Sequence, residues 1–145
     1  MFRMIASGFA LSVAMTGTAF AESYDVQMLN RGDAGNMIFE PAFLRIAPGD
    51  TVTFLATDRG HNVQSIPEMT PEGAEGFEGR INEEIVVTFD TEGFYGVMCK
   101  PHYAMGMVMT IAVGDDVQAP DSFLEGRIPR GAKARFEEQI ANLAN

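Results

Sequence analysis

Residues 97–107 read VMCKPHYAMGM. The chain's single cysteine, Cys99, stands three positions before His102, one of only two histidines, and Met105 and Met107 close the stretch. Strand-forming residues run into it in GFYGVMC (93–99) and out of it in GMVMTIAV (106–113). Between them Pro101 stiffens the chain and Gly106 permits a sharp return, so the reading is two strands joined by a tight loop. The flanks carry the fold and the loop carries the chemistry.

Outward from this stretch the same pattern repeats. YDVQMLN (24–30), FLRIA (43–47), TVTFLAT (51–57) and EIVVTFD (84–90) are short runs bounded by turn formers such as the PGD of 48–50. Val52, Phe54 and Ala56 share one face, as do Ile85, Val87 and Phe89. Alternation of period two at these intervals predicts an antiparallel sandwich or barrel. Residues 65–84, rich in Gly, Pro and Glu without a sustained period, read as a long ordered loop with a helical turn, lying over one end or side of it. After Gly114 the period changes. PDSFLEG (120–126) and GAKARFEEQIANLAN (131–145), with Phe136, Ile140 and Leu143 spaced four and three apart, predict two C-terminal helices from about residue 120 that cover one face.

The other end of the chain has a different character. Arg3 precedes an apolar run from Ile5 to Met15, and Ala19-Phe20-Ala21 is a small-x-small pattern. This is the pattern of a secretory signal (1–21) cleaved before Glu22, leaving 22–145 as one domain. The apolar run is far shorter than the roughly 20 residues that cross a bilayer. Loss of Arg3 takes the net charge from −10 to −11, which disfavours nucleic acid and anionic membranes. The expected compartment is the periplasm, with no membrane insertion.

In an oxidising compartment a lone thiol has three readings: inert and buried, paired between molecules, or held by a metal. Cys99, His102 and Met107 form Cys-x2-His-x4-Met, three ligand types that one loop can deliver to one ion. Thiolate, thioether and imidazole together favour copper, and a plane of two His and one Cys with a long axial Met is the blue-copper arrangement. The second imidazole must then be His61, in DRGHNV (58–63) after TVTFLAT. Met105 and Met109 compete with Met107 for the axial place by type alone. Zinc also suits Cys and His, although Met is a poor zinc ligand.

GHNV (60–63) followed by CKPHYAMGM (99–107) resembles the cupredoxins, and within them the pseudoazurin family. The likeness extends through VQMLNRGDAGNMIFEP (26–41), PGDTVTF (48–54), GHNVQSIPEMTPEGAEGFEG (60–79) and CKPHYAMGMVMTIAVGD (99–115). It implies a mainly β fold, an eight-stranded Greek-key sandwich, whose two C-terminal α-helices set it apart from plastocyanin. It also implies one type 1 copper ion cycling between Cu(I) and Cu(II). His61, Cys99 and His102 would be its equatorial ligands and Met107 its axial one, with Asn62 and Pro101 supporting the loop.

The function implied is electron transfer by a monomer whose partner is copper nitrite reductase or a c-type cytochrome. Electrons would pass at the His102 edge through an apolar patch of Met37, Pro101, Ala104 and Met105, flanked by Arg59 and Lys100. Arg31 and Arg80 are further cations for that face. Relatives often carry lysine where this chain has Gly76, Glu78 and Met98. The patch should therefore weigh more than charge in docking. An enzyme is disfavoured because both imidazoles are spent on the one site and none is left for acid–base work. The alternative is a copper-binding or delivery protein that uses the same four side chains without exchanging electrons.

Overall fold

The computed structural model describes residue 17 and residues 19–145. The charged start and apolar core of the expected signal fall on residues outside these. Period-two alternation becomes burial on one face: in β4 (Asp50–Leu55) Asp50, Val52 and Phe54 are buried while Thr51, Thr53 and Leu55 are not. In β6 (Ile85–Phe89) the Ile85, Val87 and Phe89 side chains pack into the same core, and Val86 between them is 63% exposed. These two strands join β1 (Ser23–Gly32) and β2 (Gly35–Glu40) in one four-stranded sheet, ordered β2-β1-β4-β6. The second sheet is built from β3 (Phe43–Ile46), β5 (Gln64–Ser65), β7 (Gly93–Met98) and β8 (Val108–Val113), in the order β3-β8-β7-β5.

Two features differ from the plain antiparallel sandwich expected from alternation. First, β1 and β4 pair in parallel, and so do β3 and β8. After the β1–β2 hairpin the chain leaves the first sheet to lay down β3, then returns for β4 beside β1. A strand reached by a crossover lies parallel to its neighbour, whereas a hairpin gives the antiparallel pair. Second, alternation marked six runs, while the eight strands implied by the cupredoxin resemblance include β2 and β5. β2 contains Met37 at φ 50, outside extended geometry, and β5 has two residues, too few to show a period.

The second sheet is buried on both faces. Tyr95, Val97, Met109, Ile111 and Val113 meet the first sheet in the inner core, with Cys99 and Met107 at its end. Phe94, Val108 and Ala112 point the other way, into a second core with Phe123, Ala132, Phe136 and Leu143. That outer core is closed by α1 (Arg130–Leu143), on which Phe136 is fully buried and Leu143 nearly so. Burying such side chains stabilises by about 1.5–3 kcal/mol each. The first of the two expected C-terminal helices is instead a single 3-10 turn, Asp121–Leu124, that buries Phe123. Pro120 precedes it, and Gly126 and Pro129 follow within five residues, which leaves no room for an α-helix.

Polar groups tie the helix down. Gln139 is buried against β8, donating to the Val108 carbonyl (3.0 Å) and accepting from the Thr110 hydroxyl (2.9 Å). From β3, Arg45 donates to the carbonyls of Gly114 (2.8 Å), Val117 (3.0 Å) and Leu143 (2.9 Å), satisfying the negative end of the helix. The long loop after β5 is ordered as expected and opens with a 3-10 turn, Pro67–Met69. It lays Phe77 onto Phe54 and against Phe89, and packs Met69 onto Gly96 so closely that a Cβ there would lie 2.8 Å from its side chain.

Candidate metal centre

β7 delivers Cys99 to one end of the sandwich, fully buried. The chain then turns through Lys100–Met105 in 3-10 geometry, with Pro101 in the first turn and His102 at φ −118 breaking the regularity. Gly106 at φ +90 reverses the direction into β8. The loop closes on itself through backbone hydrogen bonds. The Cys99 N–H donates to the Met107 carbonyl (3.0 Å) and the Met107 N–H to the His102 carbonyl (3.1 Å). The His102 N–H donates back to the Cys99 carbonyl (3.1 Å). Three side chains therefore leave one rigid ring of backbone.

His61 arrives from the loop after β4 and is also fully buried. Its Nε2 lies 2.8 Å from Asn30 Oδ1, an atom that only accepts, so Nε2 carries the proton and Nδ1 presents its lone pair. That Nδ1 is 3.1 Å from His102 Nδ1 and 3.8 Å from Cys99 Sγ, and His102 Nδ1 is 3.5 Å from the same sulfur. The three donors form a small triangle. Metal–nitrogen bonds of about 2.0–2.1 Å and metal–sulfur bonds of about 2.3 Å fit a triangle of this size. Met107 is fully buried in the same core as Cys99.

The electrostatics suit an ion. Burial, followed by the neighbouring His102 ring, holds the His61 imidazole below its ordinary value and so in the neutral form that ligates. Burial pushes the Cys99 thiol up, while backbone N–H groups of Asn62 and His102 aimed at the sulfur pull the other way. A buried thiolate here needs a cation beside it. Asn62 lies alongside: its Oδ1 accepts the Lys100 N–H (2.7 Å), and its Nδ2 donates to Gln64 Oε1 (3.0 Å) and the Gly79 carbonyl (3.1 Å).

The other residues singled out from sequence differ in how far they are exposed. Pro101, Ala104 and Lys100 are exposed parts of the ligand loop, Met105 is 55% exposed, and His102 is half-buried between them and Cys99. Met37 is half-buried against the inner core. Arg31, Arg59 and Arg80 are exposed. Two residues escaped the sequence reading. Asn30 lies 31 positions from the ring it orients. Arg135, on α1, donates to the Gly106 carbonyl (2.8 Å) inside the ligand loop. No local spacing marks either one.

The family model for copper binding proteins of the plastocyanin/azurin family matches residues 26–114. Pseudoazurin of Paracoccus pantotrophus is 41% identical over 139 residues, spanning 96% of this chain and 96% of that one. The chain belongs to the pseudoazurin family of cupredoxins. Pseudoazurin of Methylorubrum extorquens is 48% identical over 110 residues, 76% of this chain and 74% of that one. The crystal structure of pseudoazurin from Methylobacterium extorquens AM1 superimposes with a TM-score of 0.79 at 40% identity, covering 83% of this chain and 98% of that one. Pseudoazurins are electron carriers with one type 1 copper. Here His61, Cys99 and His102 bring one ligand atom each to within 4.8 Å of one another, the cluster expected for such a site. Among the described residues no helix is long and apolar enough to cross a membrane.

Proposed function

We propose that this cupredoxin carries single electrons in the periplasm between protein partners, a c-type cytochrome or a copper nitrite reductase among them, and that it is not itself an enzyme. The observation that carries the reading is the gradient of burial across the site. Cys99 and His61 are sealed in the core, while His102 alone of the three clustered donors is half-exposed at the end of the sandwich. Copper supplies the one-electron couple, and the polypeptide holds the ligands so that little has to move. Asn62 braces the Cys99 end of the loop through Lys100, and Pro101 limits the loop's freedom.

Electrons pass at the His102 edge. In this reading Met37, Pro101, Ala104 and Met105 supply the apolar contact for a partner, and Arg59 and Lys100 supply sparse positive charge. An acidic chain, at net charge −11 once Arg3 leaves with the signal against −10 for the full sequence, docks chiefly through the apolar surface. Export and cleavage between Ala21 and Glu22 are supported by where hydrogen bonding begins. The Glu22 N–H donates to buried Asp50 at 2.8 Å and the Glu22 carbonyl accepts from Thr51 at 2.9 Å, whereas Phe20 is 87% exposed.

The deciding experiment is a visible absorption and EPR spectrum of the copper-loaded protein, recorded before and after ascorbate and again after reoxidation. A shuttle shows an intense thiolate-to-copper band that bleaches and returns with the metal retained. A protein that releases its copper on reduction is a delivery protein, and the shuttle reading fails. Intact mass of the exported protein, beginning at Glu22, checks the processing site.

A further inference from the structure

The ligand loop has two ends, and each is held by a side chain from another part of the fold. At the Cys99 end that side chain is Asn62. At the Met107 end it is Arg135, which projects from the second turn of α1. One nitrogen of its guanidinium, Nη1, donates both to the Gly106 carbonyl (2.8 Å) and to the Met37 carbonyl (2.7 Å); Nη2 donates to the Asn36 carbonyl (2.8 Å). The Gly106 carbonyl belongs to the peptide unit that precedes Met107. The N–H of that same unit donates to the His102 carbonyl (3.1 Å). Both polar ends of the peptide plane are thus fixed, one by the loop itself and the other by Arg135.

The helix also sits directly on this turn. A Cβ at Gly106 would lie 3.0 Å from the Gly131 carbonyl oxygen and 3.3 Å from Arg135 Cδ, so the turn and the first residues of α1 are in van der Waals contact. On its other side the guanidinium holds Met37, which adopts φ 50, a left-handed conformation that a residue with a flexible apolar side chain does not prefer. Met37 packs against the core that contains Met107. One planar, permanently charged fork therefore joins the C-terminal helix, the β2 turn and the peptide before the axial ligand. Lysine carries three donors on one nitrogen and lacks the planar spread of two, so it does not reproduce that fork.

We propose that Arg135 is a positioning residue for the copper site, and that the C-terminal helix acts through it to set the placement of Met107. This rests on Met107 being the axial ligand. With copper bound, Met107 would supply the thioether whose weak bond tunes the potential of such a site. Freed from Arg135, the Gly106–Met107 peptide can rotate, and the weakest bond loosens first. A weaker thioether stabilises Cu(II) less, so the potential rises.

The test compares Arg135→Gln and Arg135→Lys with Phe136→Leu, a neighbouring helix variant that loosens α1 through its contact with Phe123. Reduction potential, the ratio of the two thiolate charge-transfer bands and EPR rhombicity are read on copper-loaded protein. Hydrogen exchange at the Met107 amide is read on metal-free protein. Arg135→Gln is expected to raise the potential, shift the band ratio and speed Met107 exchange, with Arg135→Lys intermediate and Phe136→Leu unchanged in all but thermal stability. If Arg135→Gln does not fold, Arg135→Lys carries the comparison. An unchanged spectrum and potential in the Arg135 variants overturns the proposal, and so does an equal shift in Phe136→Leu. Met107→Gln is the reference: if it too leaves the spectrum unaltered, the axial assignment itself is at fault and both readings fall.

Discussion

Asn30 shows how one side chain outside the ligand set decides what a ligand can do. Its Oδ1 fixes the proton of His61 on Nε2 and leaves Nδ1 free to face Cys99 and His102. Partners of this kind hold both tautomer and ring orientation, and their loss typically costs about 10–100-fold in metal affinity. Asn30→Ala is accordingly expected to weaken copper binding by about that factor while leaving the fold intact, read by competition with a chelator of known affinity. Equal affinity in the variant and the parent would show that packing alone orients His61. Gly106 works at the same scale. Its φ of +90 and the 3.0 Å approach to Gly131 leave no place for a side chain. Gly106→Ala is expected to lower stability by about 1–3 kcal/mol in urea denaturation.

The element that distinguishes this sandwich is α1. It converts the outer face of β7 and β8 from a surface into a second core, which is why β8 is buried at every position. Its two ends are held by arginines from opposite directions. Arg135 leaves the helix near its start to grip the ligand loop, and Arg45 comes from β3 to grip the carbonyl of its last residue, Leu143. Each hydrogen bond from a charged donor contributes about 1.5–3 kcal/mol, with much of that appearing as the cost of leaving carbonyls unpaired. Arg45→Met is therefore expected to destabilise by about 2–4 kcal/mol. It should also speed amide exchange over residues 140–145 ahead of the strands. Uniform exchange across the molecule would mean that the helix end and the sandwich open together.

At the scale of the whole molecule the proposed docking turns on the balance of apolar and charged surface around His102. Met105→Lys is expected to slow electron exchange with a protein partner several-fold while the copper spectrum stays unchanged. Exchange by the parent is expected to fall only slightly between low salt and 0.15 M, because steering by exposed charge is what salt screens. A steep fall would transfer the docking role to Arg59 and Lys100. The far end of the molecule has its own device. The proposed cleavage before Glu22 would turn the backbone N–H that now lies 2.8 Å from buried Asp50 into an ammonium, beside a Tyr24 whose phenol is pushed up to about 12 by its hydrogen bond to Glu22. Asp50→Asn is expected to cost the Glu22-initiated protein about 1.5–3 kcal/mol, and a form that retains Ala21 less, measured by urea denaturation of both. Equal losses would show that the new charge adds nothing.

Inventory and local period made much of this protein legible before any coordinates. A chain with one cysteine and two histidines has few ways to build a soft-metal site, and strands that alternate apolar and polar residues declare which face is inside. The two parallel strand pairs were not legible, because parallel pairing comes from the path between sheets and leaves no mark in either strand. Nor was the short β5, whose two residues carry no period. The sequence alone determined which atoms could bind copper: the softness of sulfur and the basicity of imidazole belong to the residues themselves. Only the tertiary structure decided how those atoms are held. Asn30 and Arg135 act across 31 and 29 positions of chain, and a hydrogen bond depends on distance in space, to which separation along the chain is no guide.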